Sequence, residues 1–250
     1  MSDSKEGSVK SGKSILKTVL GGCVCLVFIG LLIVTLFPPE SIPREPQRRG
    51  GCINNVRQIV LALHNYHARY NSFPPAYTTD ENGKPLHSWR VLLLPDIEQK
   101  SLYDQIRLDE PWDSEYNKQF HDQMPSIYCC PSSGYTLSDG FTSYNWVIGP
   151  DTISDGSSTT TLNDVTADRS NVIMLVEVVY PASWMAPVDI DERILSDLPD
   201  GIKLSRKLSG VIGVGSGHPG LIVTGYMDGS VRIMNNDEVH ELKDKVKIKR

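Results

Sequence analysis

From Thr18 to Phe37 the sequence carries no charged residue, in the run TVLGGCVCLVFIGLLIVTLF. Soluble helices show polar residues on at least one face, so this absence argues against a surface or core helix. Twenty residues at about 1.5 Å each span about 30 Å, the depth of a bilayer's hydrocarbon layer. A lone apolar segment pairs its backbone inside lipid only as a helix, so one transmembrane helix is expected over 18–37. A small-residue cleavage pattern is also missing: the run closes on Leu36-Phe37-Pro38-Pro39, unlike a signal peptide. Leu20-Gly21-Gly22-Cys23 resembles a lipoprotein box, but most of the apolar residues follow that cysteine instead of preceding it. The segment is therefore read as an uncleaved anchor. A basic balance is missing as well. Without the four lysines and two acids that precede the run, the chain has a formal net charge of −7, which argues against a nucleic-acid-binding face.

Signatures of catalysis are equally scarce. His218, Asp228 and a serine, Ser216 or Ser230, are the residue types of a hydrolase triad, but no Gly-x-Ser-x-Gly elbow frames either serine. Gly213-Val-Gly-Ser-Gly217 lacks the Gly-Lys-Ser/Thr ending that holds phosphate and magnesium, and reads as a loop before a strand. Asp189, Asp191 and Glu192 offer oxygens of the kind calcium takes, without the glycine and distal glutamate of an EF-hand, and read as a solvated acidic loop. His64 and His67 lack a third ligand at helical spacing and read as surface or packing histidines. Glu177 closes an apolar run and needs a partner or solvent, with Arg90 a candidate. No metal ligands are assigned and no cofactor is implied. Among five cysteines, Cys23 and Cys25 lie in the span; two of Cys52, Cys129 and Cys130 can pair in an oxidising compartment, leaving one over.

What is present organises the chain. Residues 1–17 form a polar head with Lys5, Lys10, Lys13 and Lys17; Arg44, Arg48 and Arg49 follow the span. This slight asymmetry and the short head place the N-terminus in the cytoplasm and the large C-terminal domain outside it. Residues 38–51, PPESIPREPQRRGG, hold four prolines and read as a linker that stops the membrane helix. Ile53, Val56, Ile59, Val60, Leu63, Tyr66 and Tyr70 recur at three- and four-residue steps and predict a helix over 53–70, ended by Phe73-Pro74-Pro75. Residues 88–107 predict a helix broken at Pro95 and a second helix; 127–131 predict a strand; 171–178 predict a buried strand. Asp228-Gly229 between two apolar β-rich runs predicts a hairpin. The alternating Lys-rich stretch 243–250 reads as a solvated edge or frayed end. The order, helix first and then a mainly antiparallel sheet, predicts an α+β domain over 52–237, with 238–250 a basic tail.

These residues also resemble a family. His218, nine residues, then Asp228-Gly229 matches the C-terminal signature of a large bacterial family of prepilin-like, pseudopilin-type surface proteins known as a domain of unknown function. Cys52-Ile-Asn-Asn, Leu61-Ala-Leu-His-Asn-Tyr66, Phe73-Pro74-Pro75, Glu110-Pro-Trp-Asp113, Cys130-Pro131-Ser132, Glu177 and Trp184 are similar to its other blocks, in order. The resemblance marks His218, Gly220, Asp228 and Gly229 as signature residues. It implies a pilin-like fold, a helix packed on an antiparallel sheet, with no established enzymatic activity. It further implies a disulfide between Cys52 and Cys130, with Cys129 left over.

The sequence departs from that family at its N-terminus. Members open with a Gly-Phe-Thr-Leu-Ile-Glu processing motif on an apolar helix that leads directly into the Cys-Asn-Asn block; here the apolar run lies upstream, across prolines. The chain is therefore expected to be a permanently anchored, single-pass, non-enzymatic envelope protein that does not polymerise. Its expected partners are the membrane and other envelope proteins, in secretion or surface assembly. The alternative is an envelope hydrolase using His218 and Asp228.

Overall fold

The computed structural model describes residues 45–196, 214–235 and 237–249, together with Phe28 and Leu32. The chain divides into two compact units, Met1–Pro43 and Arg44–Arg250. The expected membrane helix lies outside the described residues except for Phe28 and Leu32, which are helical and exposed. Among the described residues no helix is long and apolar enough to cross a membrane.

The second unit opens on α1 (Glu45–Tyr70), a helix of 26 residues. It starts eight residues before the expected Ile53, so half of the expected linker is helical. Pro46 does not prevent this, because the N–H groups of a first turn have no intrahelical partner for proline to remove. The helix buries Cys52, Val56, Ile59, Val60 and Leu63 along one stripe. Burying each of the four aliphatic side chains stabilises by about 1.5–3 kcal/mol, more than helix propensity supplies. The helix ends at Asn71, which takes φ +55° and donates its N–H to the His67 carbonyl at 2.7 Å. Asparagine tolerates that left-handed geometry at a helix terminus.

A four-stranded sheet carries this helix. Its strands are β3 (Phe141–Asn145), β5 (Ile173–Ser183), β7 (Leu221–Tyr226) and β8 (Val231–Asn235), in that spatial order and antiparallel throughout. Helix α1 meets β7 at Gly225, where an added Cβ would come within 2.5 Å of Val60 Cγ2 and 3.1 Å of Val56 Cγ1. A glycine in mid-strand thus lets the helix rest on backbone. Val223 joins the core on the helix side and Ile222 joins a second core with Val176, Leu242 and Val246. Adjacent strand residues point to opposite faces, so the sheet is covered on both. The fold class is α+β, as expected.

Smaller elements complete the unit: the hairpin β1 (Tyr77–Thr79) with β2 (Pro85–Ser88), and a parallel pair β4 (Val147–Ile148) with β6 (Ile190–Asp191). The expected broken helix over 88–107 consists of α2 (Trp89–Leu92), a 3-10 turn through Pro95, and α3 (Lys100–Tyr103). A short helix α4 (Glu192–Ser196) follows β6.

Two expectations fail. Residues 127–131 are not a strand: Ser126–Tyr128 is a 3-10 turn, and Cys130 donates its N–H to Ser143 Oγ at 2.9 Å instead of to a neighbouring strand. The C-terminal stretch is not a solvated edge. It forms α5 (Leu242–Lys245) and then docks, with Val246 and Ile248 buried and Ile248 N–H donating to the Asp151 carbonyl at 2.7 Å. Its apolar residues turn inward while its lysines stay outside.

Candidate functional site

Glu45 and Cys52 are seven residues apart on α1, two turns, and therefore share a face. That face meets two loops and a strand. Cys52 forms a disulfide with Cys130, the Cα atoms 5.3 Å apart, within the usual range. The bridge joins α1 to the loop before β3 across 78 residues of sequence. Cys129 is a free, buried thiol beside Ser133 and the Tyr135 carbonyl.

His218 comes from the segment that precedes β7, described from Val214 onward and held by several contacts. Val214 bridges to Val178, and Gly215 N–H donates to the Glu177 carbonyl at 3.1 Å. Ser216 Oγ accepts from His218 N–H at 2.8 Å and donates to the Leu221 carbonyl at 2.8 Å. A Cβ on Gly217 would overlap the Ser132 carbonyl, so only glycine allows this approach. Gly220 takes φ +70°, a left-handed turn that favours glycine.

Thus held, the His218 ring is buried, with its Nδ1 on the Glu45 carboxylate. A carboxylate accepts, so Nδ1 carries the proton and Nε2 presents its lone pair inward. Nε2 lies 3.4 Å from Cys130 Sγ and 3.8 Å from Glu177 Oε1. Glu45 is also steadied by Ser132 Oγ, which donates to its two oxygens at 3.2 Å. Glu177, on β5, accepts Val223 N–H at Oε2 (2.7 Å), while its buried Oε1 has no hydrogen-bond partner. Burial pushes the Glu177 carboxyl up to about 8, against the Val223 hydrogen bond, which pulls it down. One donor atom each from Cys52, Cys130, Glu177 and His218 falls within a 4.8 Å span, and all four residues are buried.

The other expected site residues go elsewhere. Asp228 and Gly229 form the hairpin turn: Asp228 Oδ1 accepts Ser230 N–H at 2.9 Å and Ser230 Oγ at 2.6 Å, and Gly229 takes φ +89°. With Arg57, Val60, Leu61 and His64 they line a shallow cleft that does not include His218. The structure therefore gives His218 and Asp228 separate partners, and Ser216 and Ser230 serve as loop and turn braces. Glu177 does not pair with Arg90. The buried Arg90 guanidinium donates to Asp189 Oδ1 at 3.0 Å and to the Tyr144 carbonyl at 2.8 Å. The expected acidic loop is accordingly dispersed: Asp189 is buried on Arg90 and the Trp146 N–H, Asp191 pairs with Arg193, and Glu192 with Lys247. His64 and His67 pack their rings on Phe73, at 5.8 and 4.9 Å between centroids. Sequence reasoning missed Glu45, hidden among linker prolines. Its spacing of seven from Cys52 was the available signal.

The fold and site define an α+β domain whose first helix is tied to its sheet by a disulfide and a buried histidine. A family model described as "Protein of unknown function (DUF1559)" matches residues 42–171, just over half of the sequence. The chain belongs to that family. The matched residues include Glu45, Cys52 and Cys130 but end before Glu177 and His218. Searches of curated proteins and of solved structures return no match.

Proposed function

We propose that this chain is a membrane-anchored, pilin-like envelope protein with a structural or interaction role. The observation that carries the reading is α1, a 26-residue helix laid on an antiparallel sheet, preceded in sequence by the uncharged run 18–37. A pilin-like subunit that kept this run would remain tethered by it. Prolines at 38, 39 and 43 lie between the run and α1, and proline in a helix interior removes a hydrogen bond and clashes with the preceding turn. They oppose the continuous helical spine that a filament needs. The spacing of His218 and Asp228 within the family-like signature supports the pilin-like assignment through architecture: one residue locks the loop before β7 and the other turns the β7–β8 hairpin. The hydrolase alternative requires these two residues to share a pocket, and no described contact favours that.

Cell fractionation tests the reading. The full chain is expected in membranes after alkaline carbonate washing, with its C-terminal domain cleaved by protease added from the extracytoplasmic side. Recovery in sheared filaments, shortened at the N-terminus, would overturn it. Cross-linking in intact envelopes followed by capture of the tagged chain then identifies the partner.

A further inference from the structure

The buried cluster at the α1–sheet junction holds more ligating chemistry than a structural bridge needs. We propose that, when the Cys52–Cys130 disulfide is reduced, Cys52, Cys130, His218 and Glu177 bind one divalent cation of the zinc class. This goes beyond the anchoring role and does not depend on it.

Three observations converge. The first is the donor set. Two sulfurs, an imidazole nitrogen and a carboxylate oxygen are ligand types that zinc takes, and four is its usual structural coordination number. The second is distance. Zinc with bonds of about 2.0–2.3 Å in a tetrahedron separates its ligands by about 3.3–3.8 Å. Here His218 Nε2 lies 3.4 Å from Cys130 Sγ and 3.8 Å from Glu177 Oε1, and all four donor atoms fall within 4.8 Å. The two sulfurs must separate, which reduction allows, and the wider donor pairs, which reach out to 4.8 Å, must draw in. The third is orientation. Glu45 holds the Nδ1 proton, so the His218 lone pair faces the cluster, as the outer carboxylate does for zinc-bound histidines. Glu177 Oε1 is buried and without a hydrogen-bond partner, an acceptor that a cation would satisfy.

The chemistry balances with a dithiol as reductant. The dithiol gives up two electrons and two protons and becomes a cyclic disulfide; the Cys52–Cys130 S–S bond breaks and each sulfur takes one proton. The cation then displaces both thiol protons, together with the proton that burial favours on the Glu177 carboxyl, releases them to solvent, and bonds to two thiolates and a carboxylate. Cys129 is not part of the set, since its sulfur contacts Ser133 and the Tyr135 carbonyl. In consequence α1 stays fastened to the sheet in either redox state, by a covalent bond or by a metal. Glu45, which holds His218 from outside the donor set, is partly exposed, at 35% of its side chain.

The test uses the full chain in detergent, reduced with a dithiol that is then removed without oxygen, and titrated with cobalt(II) as a spectroscopic probe and with zinc. One cobalt per chain is expected, with near-ultraviolet thiolate-to-cobalt bands and the strong visible bands of a tetrahedral centre, both erased by one equivalent of zinc. The oxidised chain is expected to show neither. Cys129→Ser should bind as the parent does. Glu177→Gln and His218→Ala should lose stoichiometric binding, and Glu45→Gln should weaken it by about 10–100-fold. Melting each variant in its oxidised form shows that its fold is retained. Absence of thiolate bands in the reduced parent chain would overturn the proposal without recourse to any variant. So would equal binding by the oxidised chain, or unchanged binding in Glu177→Gln and His218→Ala.

Discussion

Glu45 and His218, 173 residues apart in sequence, meet in one charge-assisted contact that ties the first turn of α1 to the loop before β7. The pairing places a carboxylate at a helix N-terminus, where the helix dipole favours negative charge, and sets the tautomer of a buried imidazole. Replacing Glu45 with Ala removes both effects. Because the carboxylate is partly solvated, the expected loss is about 1 kcal/mol, read as a lower urea midpoint. An unchanged midpoint would show that the contact contributes nothing to stability.

The disulfide closes a long loop, its cysteines separated by 78 positions in sequence. Loop-closure arguments put its contribution at about 2–5 kcal/mol. Cys52→Ala with Cys130→Ala is expected to lower stability by that amount. Intact mass should rise by about two daltons on reduction in the Cys129→Ser chain and stay constant in the double variant.

Arg90 and Asp189 form an ion pair with both side chains essentially out of solvent. Burial pushes the Asp189 carboxyl up, while the Arg90 guanidinium pulls it down. Asp189→Asn would leave a buried cation without its counter-charge, at a cost of about 3–5 kcal/mol. Trp89, Trp146 and Trp184 are fully buried, so their fluorescence reports the unfolding midpoint directly.

Gly225→Val tests how closely α1 approaches β7. The new side chain meets Val56 and Val60, so the helix must lift or the valines must leave their rotamers. Overpacking of this kind costs about 1–3 kcal/mol. Faster amide exchange in α1 than in β3 would locate the damage, whereas uniform exchange would argue against a local origin.

His87 supplies an acid-side dependence. Its Nε2 donates toward the Glu110 and Arg107 carbonyls, at 2.8 and 3.2 Å, and its buried Nδ1 has no partner. A second proton would therefore strand a charge, and burial lowers the pKa of this ring. The unfolded chain takes up that proton near its ordinary value of about 6.5, while the folded chain resists it. Stability is thus present above pH of about 6.5 and lost as pH falls. His87→Gln should flatten the decline of the urea midpoint between about pH 6.5 and 5. A slope equal to that of the parent chain would assign the acid sensitivity to other groups, such as His64.

Patterns with a local cause were legible in the sequence. The stripe through Val56, Ile59, Val60 and Leu63 predicts α1, because helical periodicity and burial on one face are the same fact. The apolar run around Leu175 predicts the central strand β5, and Asp228-Gly229 predicts the turn between β7 and β8. The start of α1 was not legible, because four prolines outweigh a rule that depends on where the first turn falls. Nor was the docked C-terminus: alternating lysines look solvated until a surface is present to bury Val246 and Ile248.

An α+β unit with a leading amphipathic helix follows from the residue pattern alone, which also marks His218 and Glu177 as residues in want of an explanation. Their partners are set by long-range packing. Asp189, not Glu177, is the carboxylate on Arg90, and His218 joins Glu45 and the cysteines instead of Asp228. Periodicity along a chain records which face is buried, but the identity of a buried polar partner depends on which distant backbone segments come close. Here Gly217 and Gly225 set that closeness, because each lacks the Cβ that would have held the segments apart.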